Sequence, residues 1–68
     1  MIYDNVKAHC QRLGITIMEC EKRAGLGNGV IGAWRQSYPR VDSLMAVAEV
    51  LGVDVSELLK GSDVEKKE

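Results

Sequence analysis

Phenylalanine is absent from this chain of 68 residues, and Trp34, Tyr3 and Tyr38 supply its benzenoid and indole rings. A folded core must therefore be mostly aliphatic. Proline occurs once, at Pro39, so helices can run uninterrupted on either side of it. The two cysteines, Cys10 and Cys20, show neither a CxxC nor a Cys/His ligand spacing. They are expected as reduced, buried thiols in a cytoplasmic protein, with a Cys10–Cys20 disulfide as the other reading. His9 stands alone, which fits a solvated helix side chain rather than a metal ligand. No apolar run has the length of a membrane span or the pattern of a signal peptide. No triad, paired carboxylates or metal-ligand cluster stands out, and the mass is too small to enclose a pocket. An enzyme, a cofactor, a metal and a small-molecule ligand are therefore not expected. One small domain is expected over residues 1–61, followed by a charged, disordered tail over residues 62–68.

Helical periodicity dominates what is present. Tyr3, Val6, Cys10 and Leu13 share one face of a first helix over Ile2–Leu13, which Gly14 ends. The stretch that organises the chain is residues 16–36. Thr16 and Glu19 have the capping-box spacing: the hydroxyl accepts from the Glu19 amide, and the carboxylate reaches back to the Thr16 amide. Ile15, just before the cap, is placed to staple onto Cys20. Ile17, Cys20 and Ala24 fall at i, i+3 and i+7, which predicts a short second helix over residues 17–24. Gly25 suits a left-handed C-cap, and Leu26 is the apolar residue of the turn. Ile31 and Trp34, three apart, predict a third helix over residues 28–36 with Trp34 in the core. Two short helices across a tight turn describe a helix-turn-helix, whose second helix enters a DNA major groove.

That third helix is poorly built. Gly29 and Gly32 lie inside it, each costing about 1 kcal/mol against alanine. Gly27 stands where a Ser or Thr cap is expected. The helix is expected to fray in the free protein and order on DNA. Residues 27–32 also spell GxGxxG, but that motif needs a preceding strand and a βαβ unit. Here a helical run precedes it, so nucleotide binding is set aside.

Ser37-Tyr38-Pro39-Arg40 is a connector. Val41, Leu44, Val47, Ala48 and Leu51 form the buried stripe of a fourth helix over Val41–Leu51, closed by Gly52. Asp54 and Glu57 open a fifth, short helix that runs to Lys60 and stops at Gly61. Val53, Val55, Leu58 and Leu59 close the core.

The net charge is −1, but it is unevenly spread: residues 1–41 sum to +3 and residues 42–68 to −4. A protein that sets its N-terminal half on phosphates would have this polarity.

The order and spacing of these elements resemble a known family. The residues that carry the likeness are Thr16-x-x-Glu19-Cys20 through Ala24-Gly25-Leu26, the Ile31-x-x-Trp34 pair, Tyr38-Pro39, and Leu44-x-x-Val47-Ala48-x-x-Leu51-Gly52-Val53 ending in Glu57-Leu58-Leu59. The chain resembles Cro/repressor-type helix-turn-helix regulators of the xenobiotic-response-element class, found in bacteria and phages, over about residues 2–61. The resemblance implies an all-α, compact five-helix, lambda-repressor-like DNA-binding domain that binds double-stranded operator DNA as a dimer. It places Asn28, Gly29, Gly32 and Ala33 against base edges. Only Asn28 among them can hydrogen-bond a base, most naturally adenine, and Ala33 can touch a thymine methyl. The family often has a phosphate-contacting glutamine at the start of the second helix. Ile17 stands there instead, leaving its amide, the Thr16 hydroxyl, Arg35, Gln36, Tyr38 and Arg40 for phosphate, with Lys7 and Arg12 near the rim.

Two functions follow as expectations. The first is a sequence-specific transcriptional regulator, a small repressor docking residues 28–36 in the major groove as a weak homodimer. The second is a protein-interaction module or antirepressor that keeps the fold without base readout. The glycine-rich third helix and the negative net charge favour the second. The positive N-terminal half favours the first.

Overall fold

A computed structural model describes residues 1–61. The expected tail over residues 62–68 lies outside the described residues. Those described fold into an all-helical, compact arrangement: α1 Ile2–Leu13, α2 Ile17–Arg23, a 3-10 helix Gly32–Arg35, α3 Val41–Leu51 and α4 Val55–Leu59. No strand occurs among them. α1 packs against α2, α3, α4 and the 3-10 helix, so it is the central support. None of these helices is long and apolar enough to cross a membrane.

Local chemistry sets the boundaries. Gly14 ends α1 at φ 74°, with its amide and that of Ile15 closing on the Gln11 and Cys10 carbonyls. The Thr16 hydroxyl accepts from the Glu19 amide at 3.0 Å and starts α2. The expected return half of that capping box does not form. The Glu19 carboxylate pairs instead with Arg23, one turn along, at 3.0 Å. Asp54 caps α4 through the Ser56 amide at 3.3 Å. The far end of α4 is held from a distance: the Asn5 side-chain amide donates to the Leu58 and Lys60 carbonyls at 2.8 and 2.7 Å. That pair of bonds satisfies acceptors that a helix end leaves open and ties the start of α1 to the end of α4.

The core is aliphatic around one indole. Val6, Cys10, Cys20, Ile31, Val47 and Leu58 are fully enclosed, and Trp34 is 6% exposed. Two residues assigned to buried stripes lie outside: Leu13 is 44% and Val41 72% exposed. Both sit at helix ends, where neighbouring helices no longer cover the stripe. Cys10 and Cys20 are free thiols, buried side by side where α1 meets α2. Burial pushes the pKa of both up; Cys20 reaches about 12, with Cys10 beside it adding to the effect.

The main departure from the sequence reading is the third helix. The Ile31 and Trp34 spacing predicts an α-helix over residues 28–36, but the chain makes turns and then the 3-10 helix Gly32–Arg35. The cause is local. Gly29 adopts φ 87°, a left-handed conformation that breaks an α-helix. The following bonds are mixed in reach: Ala33 donates to the Gly29 carbonyl four residues back, and Trp34 to the Ile31 carbonyl three back. Four α-helices and a 3-10 helix therefore stand among the described residues where five helices were expected.

Candidate nucleic-acid interface

The glycine-rich segment that leads from α2 to the 3-10 helix is organised by an acid. Glu21 lies in α2 and is 4% exposed, the one buried charged side chain among the described residues. Its carboxylate accepts the Gly29 amide at 3.2 Å and the Ile31 amide at 2.9 Å. It takes part in none of the ion pairs among the described residues. The burial of this carboxylate is offset by the two N–H bonds it accepts, each stronger than a neutral one. A GxGxxG loop offers successive amides to phosphate, whereas here the Gly29 and Ile31 amides go to Glu21 and the Val30 amide between them goes to the Gly27 carbonyl. α2 rather than a strand precedes the segment.

In the sequence Glu21 stands out only as a charge. Its position four residues after Ile17 places it on the covered face of α2, and that spacing was the available signal.

The residues expected at base edges lie along this tethered segment. Asn28, Gly29 and Ala33 are exposed, and Gly32 is half-buried. Asn28 immediately precedes the first held amide. Ile31 and Trp34 anchor the inner side of the same segment in the core. The outward residues are thus carried on a frame fixed by Glu21 below and by two apolar side chains.

The residues expected at phosphates fall into separate groups. Arg35, Gln36 and Tyr38 line one surface cleft of about 340 Å³ with Met1, Ile2, Trp34, Ser37 and Gly61. Arg35 is directed by two contacts. Its Nε donates to the Gly32 carbonyl at 3.1 Å, and its guanidinium lies 5.1 Å from the centre of the Tyr3 ring. Arg40 is open to solvent and meets Asp42 at 3.4 Å. Thr16 is exposed at the start of α2, with its hydroxyl engaged by the Glu19 amide. Ile17 is half-buried and packs on the core, so its side chain acts in packing. Lys7 and Arg12 are exposed on α1, and the Arg12 guanidinium lies 3.1 Å from the His9 ring.

Among the described residues, no cluster of His, Cys, Asp and Glu could hold a metal ion. Set against family models, curated proteins and solved structures, the chain finds no match in any of the three comparisons.

Proposed function

We propose that this chain is a small DNA-binding transcriptional regulator of the Cro/repressor-type helix-turn-helix class. α2 and the segment over residues 28–36 act as the helix-turn-helix. The observation that carries the reading is the segment's construction. Its inner side is fixed by Glu21, Ile31 and Trp34, while Asn28 and Ala33 face solvent. Sites that read bases need such a fixed frame beneath a few outward side chains. Asn28 would read adenine through paired hydrogen bonds, and Arg35, Gln36, Tyr38 and Arg40 would set register on the phosphates. Because one asparagine reads little sequence, DNA shape would supply much of the preference. A weak homodimer belongs to this reading, since a dimer reads two half-sites about 34–36 Å apart.

A second reading has its own support. A shallow groove along α3 and α4 is lined by Met45, Ala46, Val53 and Val55 and edged by Asp42 and Glu49. Met45 is 57% exposed there. Such a face suits a protein partner, and a protein-interaction module would use it without touching DNA.

Selection from a randomised duplex pool, followed by titration of the winner at two salt concentrations, separates the two. The regulator reading expects an enriched sequence and an affinity that falls steeply with salt. No binding at low salt sinks it and leaves the interaction module.

A further inference from the structure

We infer that Glu21 is the positioning residue for base readout: it sets the direction of Asn28 without touching DNA. The inference rests on the DNA-binding reading above. The Gly29 N–H that Glu21 accepts belongs to the peptide plane whose carbonyl comes from Asn28. Holding that plane fixes ψ of Asn28. The second bond, from the Ile31 amide, holds the plane after Val30 and stops the loop from rotating about the first. Between the two held planes lie Val30 and Gly29, and Gly29, at φ 87°, has no side chain to enforce its conformation. The carboxylate therefore supplies the restraint that the glycine-rich sequence lacks. It also occupies the two amides, so neither is available to a phosphate. The loop then contributes base readout through Asn28 and no anchor from these two amides, which couples specificity, more than raw affinity, to Glu21.

The chemistry of the acceptor makes this testable. A carboxylate offers two acceptor oxygens to two N–H donors. In Glu21→Gln one of these becomes an NH2 group facing an N–H, so one tether is lost while size is kept. In Glu21→Asp both acceptors and the charge remain, on an arm one methylene shorter.

The experiment measures affinity for a selected duplex and for a random duplex with wild type, E21Q, E21D, N28A and the E21Q/N28A pair. Circular dichroism and Trp34 emission are followed in parallel. With the fold retained, E21Q is expected to lower the selected-to-random ratio roughly tenfold, the size of one lost base contact, with an unchanged salt slope. E21D should recover part of the ratio. Adding N28A to E21Q should cost less than N28A alone, because the asparagine is already misdirected. A wild-type ratio in E21Q, or full additivity with N28A, overturns the inference. Should E21Q not fold, E21D is read instead: its shorter arm should lower the ratio by less than tenfold, and a wild-type ratio in E21D overturns the inference. In wild type, Gly29 and Ile31 amides exchanging as fast as that of Asn28 overturn the tether itself. A wild-type chain that binds no duplex at low salt removes the DNA reading and this role together. Selection by wild type and E21Q alike removes only the role of Glu21.

Discussion

Glu21 and Ile31, separated by ten positions, are joined by a buried 2.9 Å bond from the Ile31 amide to the Glu21 carboxylate. The same carboxylate takes the Gly29 amide, so one side chain of α2 holds two amides of a segment whose own backbone bonds are those of turns and a 3-10 helix. Without Glu21 the segment would leave a buried N–H unpaired, at a cost of about 1–3 kcal/mol. With it, the chain can keep a glycine-rich sequence in one conformation. That weakens the expectation of a frayed segment in the free protein, since three inner contacts now oppose fraying.

The two glycines of this segment should respond in opposite directions to alanine. Gly29 sits at φ 87°, so Gly29→Ala is expected to destabilise by about 1–2 kcal/mol although nothing occupies the space of its Cβ. Gly32 has no such backbone demand. A Cβ there meets only the Arg35 guanidinium, at 3.8 Å, an ordinary contact. Gly32→Ala is expected to stabilise by about 0.5–1 kcal/mol by restricting the unfolded chain. Thermal unfolding of the two single variants checks this. A gain from both would mean that Gly29 is helical after all.

Trp34 is the one indole of a small core and is 6% exposed. Its emission should be blue-shifted and little quenched by iodide. Trp34→Ala should cost about 3–5 kcal/mol, a large part of what a domain of this size has. Emission at the wavelength of free tryptophan would contradict the placement.

The sequence carried the apolar periods that build α1, α3 and α4. Gly14 and Gly52 mark where α1 and α3 end, and Thr16 marks where α2 begins. Those signals are local, each decided within one or two turns of helix. What was not legible depended on contacts between distant residues. Ile31 and Trp34 gave the third helix its spacing, yet the Glu21 carboxylate, reaching from α2, holds the Gly29 and Ile31 amides around a left-handed Gly29. Asn5 was unreadable for the same reason, since its acceptors on Leu58 and Lys60 lie more than fifty positions away. Of the candidate site, Asn28, Arg35 and Arg40 are exposed. The orientation of Arg35 over Tyr3 could not be seen without the packing of α1 on the 3-10 helix.

The paired thiols predict an alkaline limit to stability. Cys20 has its pKa pushed from an ordinary 9.0 to about 12, mainly by burial, and Cys10 is raised as well. Between those values the unfolded chain releases protons that the folded chain keeps. Stability is therefore full below about pH 9 and falls as pH rises towards 12, by up to about 1.4 kcal/mol per pH unit for each thiol. Cys20→Ala should flatten that fall while lowering stability at neutral pH through the lost packing. Denaturant titrations at about pH 7, 9 and 10.5 test the slope. Rapid reaction of both thiols with a bulky disulfide reagent near neutral pH would argue against their burial.

Arg40 gives the sharpest test of phosphate contact, because its present partner is weak. It meets Asp42 at 3.4 Å with both side chains mostly in solvent, 83% and 72% exposed, an arrangement that adds little stability. A nearby phosphate would draw Arg40 away at small cost, while Asp42 would repel the same phosphate. Asp42→Asn should therefore raise affinity for selected and random duplexes alike, and more so at low salt. Asp42 now accepts the Ser43 amide at 2.9 Å, and the side-chain carbonyl that remains in D42N can still accept it, so the start of α3 should survive. Arg40→Ala should lower both affinities and shave about one unit from the salt slope. Arg35→Ala should do the same and also cost about 0.5–1 kcal/mol of stability, because its guanidinium lies over Tyr3. Titration of one duplex at two salt concentrations, with unfolding measured on the same variants, reads all three effects. Wild-type affinity and slope in all three variants would place the phosphate contacts elsewhere on the protein.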